Sequence, residues 1–107
     1  MRLFLILFFL YPFSLLALPT CEGSPSNSIT DQRYWDNCIG TANIGGVSYT
    51  GEFKKNMPHG KGRMIYYDKT VFEGNFKEAM PNGYGVFYDA KGKVIGKGMF
   101  VNGVLVD

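Results

Sequence analysis

The feature that most constrains the fold of this chain is a repeat of 23 residues. Residues 49–62 (YTGEFKKNMPHGKG) and 72–85 (FEGNFKEAMPNGYG) are identical at seven of fourteen positions. A third copy begins at Ile95 with an offset of 24, and residues 37–41 are interpreted as a degenerate copy before the first. Self-similarity at a short fixed period indicates units that bury their apolar surface only by packing on their neighbours.

Each copy has the pattern of a β-hairpin. Over residues 71–76, positions 72, 74 and 76 (Phe, Gly, Phe) alternate with positions 71, 73 and 75 (Val, Glu, Asn). This period of two predicts a strand, because strand side chains point alternately to two faces. Residues 77–82 are predicted to form the turn, since Pro81 fixes its own φ angle and donates no hydrogen bond. Residues 83–88 are then the return strand. The predicted fold class is all-β, an elongated single antiparallel sheet of stacked β-hairpins that follows an N-terminal signal segment.

Glycines recur at fixed places inside these predicted strands, although an isolated glycine weakens a strand. We interpret them as positions that leave room for an aromatic ring of a neighbouring strand. The rings of Tyr49, Phe53, Phe72 and Phe76 are therefore predicted to lie over glycines such as Gly51, Gly62, Gly74 and Gly85.

The N-terminus has the pattern of an export signal. Residues 3–18 are an apolar run of 16 residues that follows Arg2, contains Pro12 and has the small residue Ala17 near its end. A membrane-spanning helix needs about 20 apolar residues. We predict a signal peptide over residues 1–17 and a periplasmic or extracellular protein. The alternatives are an uncleaved membrane anchor and a lipoprotein with its lipid on Cys21.

An exported chain with two cysteines, Cys21 and Cys38, is expected to form a disulfide. The bond would close a loop of 17 residues and stabilise the fold by roughly 3 kcal/mol. Residues 18–38 are therefore predicted to be a disulfide-tied N-terminal segment, and residues 39–107 the repeat sheet. A metal site is not expected, because His59 is the one histidine of the chain and structural metals need about four ligands.

Charge and motif spacing give no indication of catalysis. The formal net charge is +2, from 11 Lys and Arg against 9 Asp and Glu, which does not suggest nucleic-acid binding. The carboxylates fall at no catalytic spacing, and the G-x-G segments at Gly60–Gly62 and Gly83–Gly85 open no helix, as a phosphate loop does. The chain is predicted to be no enzyme and to use no cofactor or small-molecule substrate.

Protein binding is the more plausible function. Strand alternation places Lys61, Arg63 and Ile65 on one face of the first copy. The same positions of the second copy are Tyr84, Val86 and Tyr88, which the offset of 23 predicts to lie beside the first three. An open patch of aromatic, aliphatic and basic groups is typical of an interface. The alternative is that the segment around Tyr34 and Trp35 covers part of this face.

Unpaired sheet edges offer a second route to association. Residues 101–107 supply at most half a hairpin, so both ends of the predicted sheet are expected to be open edges. An open edge can pair with another strand, including one from a second copy of the chain.

The repeated residues resemble the MORN repeat, whose pattern is close to Y-x-G-x-F, a turn, and H-G-x-G. The third copy departs from it, because Ile95 stands in the aromatic place. The resemblance covers residues 36–107 and is carried by Tyr49, Gly51, Phe53, His59, Gly60 and Gly62, by Phe72, Gly74, Phe76, Gly83 and Gly85, and by Gly98 and Phe100.

The resemblance implies a scaffold for protein contacts or dimerisation, in some cases close to phospholipid. We therefore predict an exported, non-catalytic module that contacts a protein or a second copy of itself. The alternative is a peripheral module that binds anionic phospholipid at the cell envelope. Lipid would then contact basic residues near two turns, which are Lys54, Lys55, Lys61 and Arg63, and Lys91, Lys93 and Lys97.

Overall fold

The structure is a computed structural model that describes residues 17–27 and 34–107. Seven antiparallel strands form one sheet, in which the spatial order is the order along the chain. The predicted fold class is therefore confirmed, whereas the predicted signal peptide lies almost entirely outside the described residues. The strands are β1 (Cys38–Ile44), β2 (Val47–Lys54), β3 (Met57–Ile65), β4 (Val71–Lys77), β5 (Met80–Tyr88), β6 (Val94–Val101) and β7 (Val104–Leu105).

A row of glycines crosses the sheet from β1 to β6. Each glycine lies directly opposite the next, in the order Gly40, Gly51, Gly62, Gly74, Gly85 and Gly98. The rings of Tyr49 and Phe72 lie over this row, as predicted, whereas Phe53 and Phe76 are not the nearest groups to its glycines, and Asp107 and Leu105 cover Gly98. A Cβ atom at Gly62 would overlap the Tyr49 ring, and one at Gly85 would overlap the Phe72 ring. The repeating glycines therefore provide space for rings that reach across from the neighbouring strand.

The core is a chain of aromatic rings on that same face. The ring centroids of Trp35 and Phe53 are 4.8 Å apart, and those of Tyr49 and Phe76 are 5.0 Å apart, both edge to face. Phe72 is fully buried. Edge-to-face pairs contribute about 0.5–1.5 kcal/mol each beyond burial. The single sheet thus builds its core from side chains that repeat once per hairpin.

The turns at one margin of the sheet contain two residues each. Both residues have positive φ angles, as in a type I′ turn, in Lys55–Asn56, Glu78–Ala79 and Asn102–Gly103. The predicted turn over residues 77–82 is therefore wrong, and Pro81 lies inside β5. Its carbonyl accepts a hydrogen bond from the Gly103 N–H at 2.9 Å, and the Pro58 carbonyl accepts one from Ala79 at 2.9 Å. These bonds tie each turn to the preceding repeat.

The third repeat is positioned differently from the way its sequence was aligned with the first two repeats. Gly96, and not Ile95, lies opposite Phe87, in the position that Tyr49 and Phe72 hold in the first two repeats. A register irregularity beside Phe87 shifts the pairing, so Ile95 is 59% exposed. The prediction that Ile95 takes the aromatic place is wrong, and the third repeat has no ring there.

Candidate functional site

The residues of the predicted binding face are on one surface but are not adjacent. Because each repeat contributes two strands, β4 lies between β3 and β5. Glu73 separates Arg63 from Val86, and Val71 separates Ile65 from Tyr88. Asn75 lies between Lys61 and Tyr84, because it is paired with Lys61 on β3 and its side-chain amide donates to the Tyr84 carbonyl on β5 at 3.4 Å. The prediction that Lys61, Arg63 and Ile65 lie beside Tyr84, Val86 and Tyr88 is wrong, since alternate strands are about 10 Å apart.

The middle of this face is polar. The Arg63 guanidinium lies 4.0 Å from the Glu73 carboxylate, and both side chains are exposed. The Tyr88 hydroxyl donates to Glu73 at 3.5 Å. An exposed ion pair of this kind contributes about 0–1 kcal/mol. Tyr84 and its cross-strand neighbour Met99 form an apolar pair on this face and are 50% and 45% exposed.

The N-terminal segment covers one end of the sheet. Residues 19–26 run parallel to β1 along its outer edge, with bridges at Thr20 and Ser26. The N–H groups of Ile39 and Asn43 donate to carbonyls of this segment, and the Thr41 N–H donates to the Ser24 hydroxyl at 2.9 Å. The expectation that both ends of the sheet are open is therefore wrong for this end, which we call the capped end.

The disulfide and Trp35 hold the capped end together. Cys21 and Cys38 are bonded, as predicted, and both are buried. The Trp35 indole N–H donates to the Glu22 carbonyl at 2.7 Å, and its ring packs on Phe53. The Asn56 N–H donates to the Trp35 carbonyl at 2.6 Å. The alternative in which Tyr34 and Trp35 cover the predicted binding face is wrong, because Trp35 packs on the opposite, aromatic face and Tyr34 is 69% exposed.

The other end of the sheet, which we call the open end, is only partly covered. Within residues 34–107, β7 pairs with Phe100 and Val101, Val106 and Asp107 continue along Met99, and no strand pairs with the outer edge of residues 94–97. Apolar side chains are exposed around that edge. They are Val94, Ile95, Met99, Val101, Val104, Leu105 and Val106.

The absent ring at Gly96 leaves a cavity at the open end. Its volume is about 310 Å³, and it is lined by Phe87, Ile95, Gly96, Phe100 and Leu105. The atoms nearest to a Cβ at Gly96 would be at ordinary van der Waals distances of 3.6–3.9 Å, in contrast to the overlap at Gly85. The sequence carries the signal, because the offset of 24 that aligns Gly98 with Gly74 also aligns Gly96 with Phe72, but the missing ring was not recognised from it.

A second apolar cavity lies at the capped half of the aromatic face. Its volume is about 170 Å³, and its lining includes Ala42, Met64 and Tyr49. The Tyr49 hydroxyl donates to the Glu52 carbonyl at 2.9 Å. Burial, and then the charge of Glu52, raise the pKa of the Tyr49 hydroxyl above its ordinary value. Tyr49 is therefore neutral over the physiological range and belongs to the core.

The basic residues proposed to contact lipid are at opposite margins of the sheet. Lys54 and Lys55 adjoin the β2–β3 turn, whereas Lys91 and Lys93 adjoin the β5–β6 turn at the other ends of the strands. Asp89 accepts hydrogen bonds from the N–H groups of Lys91 and Lys93, both at 2.9 Å. The two sets of lysines therefore do not form one basic surface.

His59 occupies a repeat position that supports turns. At the same position of the neighbouring repeats, Asp36 accepts the Lys55 N–H at 2.8 Å and Asn82 accepts the Asn102 N–H at 3.1 Å. His59 itself is half-buried on β3. Among the described residues, no three His, Cys, Asp or Glu side chains are placed to hold a metal ion.

An open sheet of repeated hairpins with a continuous core defines the class of repeat proteins. The MORN repeat family model matches residues 49–71 and 72–94. The chain therefore carries two MORN repeats, as its motif residues indicated. MORN repeats are commonly protein- or membrane-binding modules and are generally non-catalytic.

No curated protein matches the chain. In the part of the chain that the structure describes, no helix is long and apolar enough to cross a membrane.

Proposed function

We propose that this protein is an exported, non-catalytic binding module that contacts another protein, or a second copy of itself, at the open end of its sheet. The observation that carries the proposal is the unpaired outer edge of residues 94–97, bordered by exposed apolar side chains. Unpaired strand edges attract other strands, and natural proteins usually protect them with charges, prolines or covering segments. Here such protection is built at the capped end and is incomplete at the open end.

The difference between the ends also limits the assembly. Because residues 19–26 occupy the edge of β1, the open end is the sheet edge that the described residues 17–27 and 34–107 leave available for strand pairing with a second copy. Two copies that join by their open ends leave no further open edge. Self-association by this route therefore stops at a dimer and does not continue into fibres.

Export is the second part of the proposal. The Cys21–Cys38 disulfide is typical of an oxidising compartment. We propose residues 1–17 as the signal peptide, 18–38 as the disulfide-tied segment and 39–107 as the repeat sheet. Intact mass of the exported protein, with thiol labelling before and after reduction, tests this. A chain that starts near Leu18 with both thiols blocked supports it, and a lipid-sized increase on a chain starting at Cys21 contradicts it.

The binding surface can be tested by photo-crosslinking in cells that produce the full chain. A photoreactive phenylalanine is placed at Ile95 on the open end, at Tyr84 on the face, or at Tyr34 on the capped end. All three side chains are at least half exposed. Adducts from Ile95 but not from Tyr34 are expected, and an adduct of twice the chain mass identifies a second copy. Adducts from Tyr34 alone, or none from any site, contradict the proposal.

The exposed face is a second candidate because Tyr84 and Met99 form an exposed apolar pair on it. Its proposed contact residues remain Lys61, Arg63, Ile65, Tyr84, Val86 and Tyr88. Adducts from Tyr84 without adducts from Ile95 would favour the face over the open end. Binding to anionic phospholipid is distinguished by flotation with vesicles that contain phosphatidylglycerol. Lipid-bound protein would be released as salt increases, because the attraction is electrostatic.

A further inference from the structure

We infer that the open end accepts an extended segment of a partner protein as an added antiparallel strand on β6, with an aromatic side chain of that segment seated over Gly96. This inference rests on the proposed function at the same end. It goes further because it names the conformation of the partner segment and the side chain that it presents.

The backbone of β6 has hydrogen-bonding groups directed outward. The Met99 N–H donates to the Asp107 carbonyl at 3.2 Å, and the Met99 carbonyl accepts the Val106 N–H at 2.8 Å. Outward groups alternate along an antiparallel strand, so the N–H and C=O of Lys97 point to the same side. No strand of residues 34–107 reaches them. An added strand would continue the ladder that Val106 and Asp107 begin.

The interior of the sheet shows what such a strand must carry. On β4, which is equivalent to β6, the outer edge is occupied by β5, and Phe87 lies opposite Phe72. The ring centroids of these two residues are 5.3 Å apart. On β6 the ring at the Phe72 position is replaced by Gly96. Because Gly96 has no ring, an aromatic side chain opposite it would have room that, between β4 and β5, the rings of Phe72 and Phe87 fill together.

The cavity beside Gly96 has the lining that an aromatic ring requires. Phe87 and Phe100 form its floor, and their centroids are 6.0 Å apart. Ile95 and Leu105 border it and are exposed by 59% and 42%. Burial of these side chains by an inserted ring removes apolar surface from water, which is the main favourable term in association.

Charge on the open end favours an acidic segment. Residues 89–107 contain Lys91, Lys93 and Lys97 against Asp89 and Asp107, and Lys97 has no acidic residue beside it on β6. All three lysine side chains are exposed. Opposite charges that face each other across paired strands are stabilising, and like charges are destabilising. The partner segment is therefore extended, carries an aromatic residue at the Gly96 position, and is acidic rather than basic nearby.

A peptide that copies β5 is the probe for this inference. Residues 86–90 (VFYDA) contain Phe87 and an acidic residue, pair from Val86 to Tyr88 with the strand equivalent to β6, and stop before the positions that Val106 and Asp107 occupy on β6. A dye-labelled peptide is titrated with the full, disulfide-bonded protein, and fluorescence anisotropy is recorded. Saturable binding is expected, and the peptide with Phe87→Ala should bind at least about tenfold more weakly, because its side chain no longer fills the cavity.

A matched pair of protein variants tests the strand pairing. Lys97→Pro removes the outward N–H, whereas Lys97→Ala keeps it and removes the same charge. Proline is tolerated at a strand edge, and circular dichroism checks that both variants are folded. Binding to Lys97→Pro should be at least about tenfold weaker than to Lys97→Ala. The peptide comparison needs no change in the protein, so it holds even if the proline variant does not fold.

Three results would overturn the inference. They are the absence of saturable binding, equal affinity for the two peptides, and equal affinity of folded Lys97→Pro and Lys97→Ala. Crosslinking at Ile95 in cells together with any of these results would leave the proposed function standing and show that the partner binds the open end without adding a strand. Failure of crosslinking at Ile95 would count against the proposed function itself.

Discussion

At the capped end a disulfide-tied segment follows β1 from Ile39 to Asn43, whereas at the open end residues 104–107 cover only the last part of β6 and leave residues 94–97 without a neighbouring strand. Trp35 fills the last position of the aromatic core at the capped end. At the open end the corresponding series of rings stops, because Gly96 takes the place of Tyr49 and Phe72. One end is therefore closed by covalent and aromatic contacts, and the other keeps both backbone and cavity accessible.

The difference shows how a repeat protein separates stability from binding. Each hairpin buries its rings against the next hairpin, so a terminal unit needs a cap or remains exposed. The cap here lies outside the repeat pattern, in residues 19–26 and Trp35. The end without such a cap is the part of the sheet that is available to a partner. The following predictions break or sharpen this comparison, from the largest expected effect to the smallest.

Loss of the ring that closes the capped end should cost the most. Trp35 is 1% exposed and packs on Phe53. Trp35→Ala should lower the free energy of unfolding by about 3–5 kcal/mol, as large-to-small changes in cores do. Leu105→Ala at the open end should lower it by about 1 kcal/mol, since Leu105 is partly exposed. Urea unfolding measures both, and equal losses would mean that the ends are not different.

The same substitution should have opposite effects at two glycines. At Gly85 a Cβ atom overlaps the Phe72 ring, so Gly85→Ala should lower the free energy of unfolding by about 1–3 kcal/mol. At Gly96 the cavity leaves room, and Gly96→Ala should be neutral or stabilising by about 0.5 kcal/mol, because alanine restricts the unfolded chain. Thermal unfolding of the two variants would contradict the assignment of the cavity if Gly96→Ala lost as much as Gly85→Ala.

Alkaline pH should act on the capped half through Tyr49. Burial raises the pKa of this hydroxyl in the folded state, so the folded protein holds a proton that the unfolded chain releases. The stabilisation is complete below the unfolded pKa of about 10 and is lost as pH rises above it, at about 1.4 kcal/mol per pH unit.

The control variant is Tyr49→Phe. Phe72, the equivalent residue in the second repeat, shows that a phenylalanine without the hydroxyl fits at this position. Tyr49→Phe should flatten the dependence of unfolding free energy on pH above 10, at the loss of the hydrogen bond to Glu52. Urea titrations at pH 8, 10 and 11 measure the slope. An unchanged slope in Tyr49→Phe would show that other groups cause the alkaline loss.

The smallest expected effect is in the turns. Ala79 has φ 70° and is exposed. Ala79→Gly should stabilise the fold by about 0.5 kcal/mol, because glycine removes the strain of a left-handed conformation, and the greater entropy of glycine in the unfolded chain cancels only part of that gain. Asn56 has φ 64° at the same position, but its side-chain oxygen accepts a hydrogen bond from the backbone N–H of Trp35 at 3.1 Å. Asn56→Gly should therefore give no gain. Thermal unfolding of the pair tests whether the cap depends on this contact.

The fold was predictable because the residues that make the packing contacts occur at the same positions in both repeats. The glycines and rings at Gly62 and Tyr49 recur as Gly85 and Phe72, and that spacing predicted both the strands and the packing of rings over glycines. The disulfide followed from the two cysteines and the export pattern. The turn was predicted over residues 77–82 but contains only Glu78 and Ala79, neither of which is a usual type I′ former. It is held by the bond from Ala79 to Pro58, which comes from the preceding repeat.

The candidate site was less accessible from the sequence. An offset of 23 places Lys61 and Tyr84 at equivalent positions, but two strands per repeat put β4 between them. The sequence also suggested two open ends, because residues 101–107 supply at most half a hairpin. Residues 19–26 cover β1 through backbone hydrogen bonds and one disulfide, which local patterns do not encode.

The sequence by itself determined the repeat unit, the aromatic core and the compartment-dependent cysteine pair, because each depends on residue type at a regular spacing. Only the tertiary structure decided which end of the sheet is closed and which is open. That outcome depends on the register of β6 against β5, which brings Gly96 to a ring position, and on where the irregular segment of residues 19–26 lies. Both are long-range pairings, and their energies exist only once the strands are assembled.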